Sequence, residues 1–390
     1  MRIPLTLFLG LLLTGCSSLN PIDWLSPDEV INPPSELVDM ENRIGIRMLW
    51  QTSVGNGAEG QLVKLAPHYQ DGRLYVASHD GLVEVLEAAS GSVVWKRETG
   101  LQISGGPGVG DGLVLLGSID GELLALDADT GEERWRARVS SEVLSIPRAG
   151  EGVVVVHTVD GKLFGLDAED GSQRWLYDRS VPVLSLRGSG SPVISDGMVI
   201  AGFASGKLVA LNLDSGDVVW EVTVTAPRGR SELERMVDID GDPLVVDGVV
   251  YVASYNGELA AVSQDTGVVL WRRPMPAYAG AATDWVDLYI TDSSGEVWAL
   301  DPQNGAALWK NKKLKYRRLS APAVLGDYVL VGDFEGYVHW LSREDGRLLA
   351  RIRVGSAPIS NRPLVVDDVA YVYGDGGALA ALAPVQAENP

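Results

Sequence analysis

Cysteine is nearly absent. The 390 residues hold only Cys16, so no intramolecular disulfide can staple the chain. Histidine is almost as scarce: His68, His79, His157 and His339 stand far apart with no metal-ligand spacing, and each reads as a turn or strand residue. Positive charge is in short supply, 32 Lys and Arg against 52 Asp and Glu for a net charge of −20, which argues against a general nucleic-acid binder. No apolar run is long enough to cross a bilayer as a permanent helix. A Gly-rich phosphate loop, a nucleophile elbow and a paired-carboxylate segment are also missing. The chain therefore reads as a non-enzyme, with no catalytic residue, metal or cofactor expected.

The lone cysteine has a context. Arg2 supplies a short positive start, and residues 3–13 form an apolar run interrupted only by Pro4, Thr6 and Gly10. That length suits a signal peptide rather than a spanning helix. It ends in Leu13-Thr14-Gly15-Cys16, which resembles the lipobox of bacterial lipoproteins. The resemblance implies removal of residues 1–15 and acylation of Cys16. Ser17, which is not Asp, implies sorting to the outer membrane, and several acyl chains on one residue would anchor the protein stably. Residues 16–42 are mostly polar with prolines at 21, 27, 33 and 34, as expected of an extended tether. Ile22, Trp24 and Leu25 are its densest apolar cluster.

What the chain has in abundance is one word. ALDADTGEERW, ending at Trp135, recurs with variations ending at Trp95, Trp175, Trp220, Trp271 and Trp309, and once more, degraded, ending at Ala350. Each copy is preceded by alternating apolar segments separated by turns such as Asp111-Gly112, Asp196-Gly197 and Asp247-Gly248, then Asp80-Gly81, Asp120-Gly121, Asp160-Gly161 and Asn256-Gly257. Both sets suit two-residue hairpins, whose central residues need positive φ. Four antiparallel strands per repeat is the pattern of a propeller blade. The Asp of the word suits an Asx turn, the Gly positive φ, and the Trp a space between blades. After Ala350, residues 362–382 supply three strands and no fourth, whereas RMLWQTSVG around Trp50 is a fourth strand without its three. The expectation is an all-β, eight-bladed propeller over residues 43–385, its ring closed by the N-terminal strand, with a short tail at 386–390.

Scaffold repeats put function where the period breaks. From Trp95 the Trp-to-Trp steps are 40, 40, 45, 51 and 38 residues. The two long steps contain residues 181–192 (VPVLSLRGSGSP) and 225–243 (TAPRGRSELERMVDIDGDP). Both link a fourth strand to the first strand of the next blade, so both emerge on one face as neighbours. Leu184, Leu186 and Arg187 are not needed to make a turn. Asp238 and Asp240 alternate with Ile239 beside Arg235. Strand-start core contacts could equally account for the leucines, and a solvated acidic loop for the aspartates. Together they suit a protein-binding patch. The basic run KNKKLKYRRL, residues 310–319, occupies a third such connection. It reads either as a steering patch for an acidic partner or head group or, more simply, as a charged guard on a blade edge.

The repeated word resembles the tryptophan-docking repeat of pyrroloquinoline-quinone (PQQ) dehydrogenases, and a PQQ-type oxidoreductase is the alternative reading. The lipobox, the Pro-Pro tether leading into LVDMEN, the eight-blade register, VPVLSLRG, RMVDID and GDFEGYVHWLSREDGR together resemble the BamB family, the lipoprotein subunit of the outer-membrane β-barrel assembly machinery. That resemblance covers essentially the whole chain after Cys16. It implies docking onto the periplasmic POTRA domains of BamA, with contact positions at Leu184, Leu186, Arg187, Asp238 and Asp240. It also implies help with the folding and insertion of unfolded outer-membrane clients, from a lipid-anchored position facing the periplasm.

Overall fold

The structure, a computed structural model, describes residues 32–179, 182, 184–186, 188 and 190–385. Cys16 and Arg187 lie outside the described residues, as do the expected signal peptide at 1–15 and the expected tail at 386–390. Residues Pro34–Pro390 make one compact unit.

The described strands form eight blades of four antiparallel strands, each consecutive in sequence except where the ring closes, and Lys64–Leu65 adds a short parallel strand inside the second blade. In one blade, strands Arg148–Gly150, Val153–His157, Lys162–Asp167 and Gln173–Asp178 run from the centre outward. The two middle strands are buried on both faces because each blade is sandwiched between two others: Val153 to Val156 are all inaccessible. The outer strand alternates instead, burying Trp175 and exposing its neighbours. The last blade takes Leu364–Val366, Val369–Tyr373 and Ala378–Pro384 from one end of the chain and Ile46–Ser53 from the other. Their register runs from Ile46 opposite Pro384 to Ser53 opposite Ala378. The eight-bladed ring and its closure are as the repeat count anticipates.

The repeated word joins neighbouring blades. Asp127 Oδ1 accepts the backbone N–H groups of Asp129 and Thr130, and Gly131 sits at φ 71°. Trp95 of the preceding blade lies on that glycine and donates its indole N–H to Ala128 O at 3.1 Å. A Cβ on Gly131 would stand 2.7 Å from the indole, so the residue serves both conformation and close approach. The same bond runs from Trp50 to Ala88, Trp135 to Ala168, Trp175 to Leu213, Trp220 to Gln264, Trp271 to Pro302 and Trp309 to Arg343. Only the seam after Ala350 lacks it. There Asn42 exchanges hydrogen bonds with the backbone of Arg351, the Arg43 N–H donates to Leu349 O at 2.7 Å, and Ile44, Ile46 and Met48 pack beside Trp340 and Ala350.

Two expectations need correcting. The turns between second and third strands are three to five residues long, most of them four, rather than two. In the first blade, strand Arg73–Ala77 ends before Ser78 and Leu82–Glu87 begins after Gly81. Gly81, Gly121 and Gly161 take positive φ while Asp80, Asp120 and Asp160 do not, and Gly257 does not either. These wider turns lie against the connection leaving the same blade: Val139 N–H donates to Gly121 O at 2.8 Å. The first set of turns does follow the two-residue pattern, with Asp111 and Gly112 at 50° and 74°. The second correction concerns the tether, whose last part belongs to the compact unit. Ser35 N–H donates to Lys315 O, and Arg317 donates to Ser35 O, each at 2.9 Å. Leu37 packs against the core between the sixth and seventh blades.

Those contacts also account for half of the six cations in the basic run. Lys310 and Lys315 both pair with Glu296. Arg317, 3% exposed, pairs with the fully buried Asp333 at 2.8 Å and with Glu335. Lys312, Lys313 and Arg318 remain exposed, so the run divides between holding blades and tether together and facing solvent.

Candidate docking face

Strand direction fixes the geometry of the two inserted connections. In a four-stranded antiparallel blade, the link from the fourth strand to the next blade and the turn between strands two and three share one face. The Asp-Thr-Gly words lie on the other. Residues 181–192 join Gln173–Asp178 to Val193–Ser195, and residues 225–243 join Val218–Thr223 to Leu244–Val246, so both sit on the first face.

They are interlocked there. Asp238 Oδ1 accepts the backbone N–H of Leu186 at 2.9 Å. Farther along, Asp242 Oδ1 accepts the N–H of Ser191 at 2.5 Å, and Gly190 O lies 3.2 Å from His157 Nδ1. A Cβ on Gly188 would come within 3.4 Å of the Asp240 carboxyl, so the two segments run side by side. Leu184 is 42% exposed, and Leu186 and Asp240 are half-buried at the surface of the pair. Leu184, Leu186, Asp238 and Asp240 are thus brought together, with Arg187 outside the described residues.

Asp238 is not a solvated loop residue. Met236, Val237, Asp238 and Ile239 are all buried, so the acidic residues do not alternate between core and water. Ile239 fills the space over Gly202, and the Tyr255 N–H donates to Asp238 O at 2.9 Å. Burial pushes the Asp238 carboxyl above its usual range, against the pull of the Leu186 amide. Its second oxygen, Oδ2, has no hydrogen-bond partner among the described residues. Asp240 is pushed up to about 6, first by burial and then by the neighbouring Asp238 charge, with Lys64 opposing. A carboxylate held this way lacks part of its solvation, which favours a cationic partner arriving from outside.

One apolar group on this face was not anticipated from sequence. Leu233 is 62% exposed on a single helical turn. Ser231 Oγ accepts the Glu234 N–H, and Glu234 Oε2 accepts the N–H groups of Arg230 and Ser231. The signal was the spacing Ser231-x-x-Glu234, a capping box that fixes a turn within an otherwise polar loop.

Eight blades, seven of their eight seams locked by a tryptophan indole, define a β-propeller of PQQ-like repeats. Fold neighbours at low identity include the quinohemoprotein alcohol dehydrogenase of Comamonas testosteroni, with TM-score 0.66 at 16% identity, a likeness of fold alone. The family model described as "Outer membrane protein assembly factor BamB" matches residues 79–311. The BamB of Pseudomonas aeruginosa is 48% identical over 376 residues, 96% of this chain and 97% of that one. The BamB of Alkalilimnicola ehrlichii is 51% identical over 351 residues, 90% and 92% of the two chains. The crystal structure of BamB from Moraxella catarrhalis matches with TM-score 0.80 at 30% identity, covering 87% of this chain and all of that one. The chain belongs to the BamB family.

Proposed function

We propose that this propeller is a docking subunit of the outer-membrane β-barrel assembly machinery, held at the periplasmic face of the outer membrane through acylated Cys16. It acts by binding the POTRA domains of BamA and so assists the folding and insertion of outer-membrane proteins. The relatives named as assembly factors support the role. The observation that carries the docking face is the locked pair of connections, in which Asp238 holds the backbone of Leu186. Leu184 and Leu186 supply apolar contact, while Arg187 and Asp240 supply charge of both signs. Asp238 keeps the first loop in place from beneath. Such a surface, a small apolar centre with charged neighbours, is what a specific protein contact needs. Client strands would pair with the outer edges of the blades, where Val218, Val219, Val268, Leu270 and Leu308 are exposed.

The test is binding of a soluble form beginning after Cys16 to the isolated periplasmic region of BamA, with Leu184→Ala, Arg187→Glu and Asp240→Arg beside wild type. Loss of binding in folded variants supports this face. Undiminished binding by all three would move the docking site elsewhere on the propeller.

A further inference from the structure

The innermost strands surround a central channel of about 920 Å³. Its wall combines apolar side chains, among them Leu144, Ile146 and Leu244, with a set of charged groups unusual for this chain. Lys64, Arg148, Arg318 and Arg362 all line it, against Asp240, Asp242 and Asp375. In a protein of net charge −20, this is a place where cations outnumber acids.

The imbalance is sharpest around Asp242. Lys64 reaches it from the connection leading into the first blade, at 2.5 Å. That connection is tied to the ring on both sides: Leu65 pairs with Gly106, and Leu65 O accepts a hydrogen bond from Asn361. Although burial pushes the Asp242 carboxyl up, Lys64 and then Arg148 hold it below its usual range. Arg362 is also within electrostatic reach, its own value lowered by burial and by Arg148 while Asp242 opposes. One carboxylate therefore faces Lys64, Arg148 and Arg362. Lys64 takes it in a direct ion pair. Arg362 makes one hydrogen bond, from Nη2 to Ala281 O at 2.6 Å, and Arg148 makes no side-chain hydrogen bond or ion pair among the described residues. The remaining acids do not settle the balance. Asp375 accepts from Ser360 Oγ, and neither Asp375 nor Asp240 forms an ion pair with Arg148 or Arg362 among the described residues. His68, lowered to about 4, adds no charge at pH 7.

Two guanidinium groups that repel each other and lack carboxylate partners, set in a roomy and partly apolar cavity, are matched by an anion of two or more charges. A guanidinium presents paired donors to planar carboxylate or tetrahedral phosphate. We propose that the channel is an anion-binding site, in which Arg148 and Arg362 together hold a ligand bearing several carboxylates. The ligand is either a free small polycarboxylate or an acidic stretch of polypeptide threading the channel mouth.

Citrate and a pentaglutamate peptide distinguish those sources. Each is titrated calorimetrically at low salt and pH 7.5 into the mature chain, into Arg148→Gln and Arg362→Gln, and into Arg347→Gln. The last removes a cation paired with Asp345 on the opposite face. At least one probe is expected to saturate at one site and to weaken ten-fold or more in both channel variants, with Arg347→Gln unchanged. Citrate alone binding identifies a small-molecule site, and pentaglutamate alone a polypeptide site. Arg362 bonds to Ala281, so its variant is checked for folding. Arg148 has no such bond, and its variant decides the matter should Arg362→Gln unfold. Equal binding of both probes by wild type and Arg148→Gln, or no saturation of wild type by either, overturns the proposal.

Discussion

Asp238 Oδ1 accepts the backbone N–H of Leu186 at 2.9 Å, joining two loops that lie 52 residues apart in the chain. Replacing Asp238 by Ala removes the only side-chain anchor described for Leu186. Amide exchange at Leu186 is expected to accelerate at least ten-fold, measured by hydrogen–deuterium exchange, and BamA binding to fall with it. Asp238→Asn keeps an acceptor oxygen and should retain most of the protection. Because the Ala change also removes a buried charge, its net effect on melting should be small, within about 1–2 kcal/mol.

Asp240 should cost stability at neutral pH. Its carboxyl titrates at about 6 in the fold against 3.8 for the unperturbed group, so between those values the folded state binds more protons than the unfolded one. The contribution of this residue to stability therefore rises as pH falls from 7 through 6 towards 4. Asp240→Asn should stabilise the protein by about 1–2 kcal/mol at pH 7, allowing for partial screening, and should flatten that part of the pH profile. Thermal melts of both proteins at pH 4, 5, 6 and 7 check it. A loss of BamA binding together with a gain in stability would mark the residue as retained for contact.

The indole locks are separable into packing and hydrogen bonding. Trp175→Phe leaves the Leu213 carbonyl, which the indole meets at 2.8 Å, without its donor, and should cost about 1–3 kcal/mol. Trp175→Ala adds a cavity and should cost about 3–5 kcal/mol. Gly216→Ala, at φ 72° beneath the same indole, should destabilise by more than about 1 kcal/mol through strain and collision combined. Denaturation midpoints of the three variants give the comparison.

Arg317 joins the seventh blade to the segment beginning at Pro34. Arg317→Ala leaves the fully buried Asp333 with His339 as its remaining side-chain partner and removes the bond to Ser35. A cost of about 3–5 kcal/mol is expected. Protease cleavage within residues 34–42 should become faster at temperatures where the ring itself stays folded. Equal cleavage rates in variant and wild type would sink the idea that this arginine fastens the segment.

The architecture was legible because its signals are local. Each Asp-x-x-x-Gly turn and each Trp lies within one short word, so counting words counts blades, and the orphan strand at Trp50 implied the closure later seen between Ile46 and Pro384. The pairing of the two loops was legible in the same way, from two consecutive long steps. What escaped was set by partners distant in sequence. Asp238 read as surface because a carboxylate alternating with Ile239 suits a loop, yet Ile239 packs over Gly202 and Tyr255 bonds the Asp238 backbone, which carries the side chain into the interior. Arg317 read as part of a charged guard because Asp333 and Ser35 are nowhere near it in the chain. Lys64 gave no signal at all, since its carboxylate partner lies 178 residues away.

The seam between the two ends of the chain sets an order in time as well as in space. Ile46–Ser53 is made early, but its hydrogen-bonding partner Ala378–Pro384 is made after every other described strand. For the whole of synthesis and export the first strand is a waiting edge, and the ring cannot latch until more than 330 residues have followed it. Pairing across such a separation is slow and leaves an open edge exposed to aggregation meanwhile. A chain interrupted anywhere before Ala378 can never latch, so the fold itself checks that its final strand has arrived.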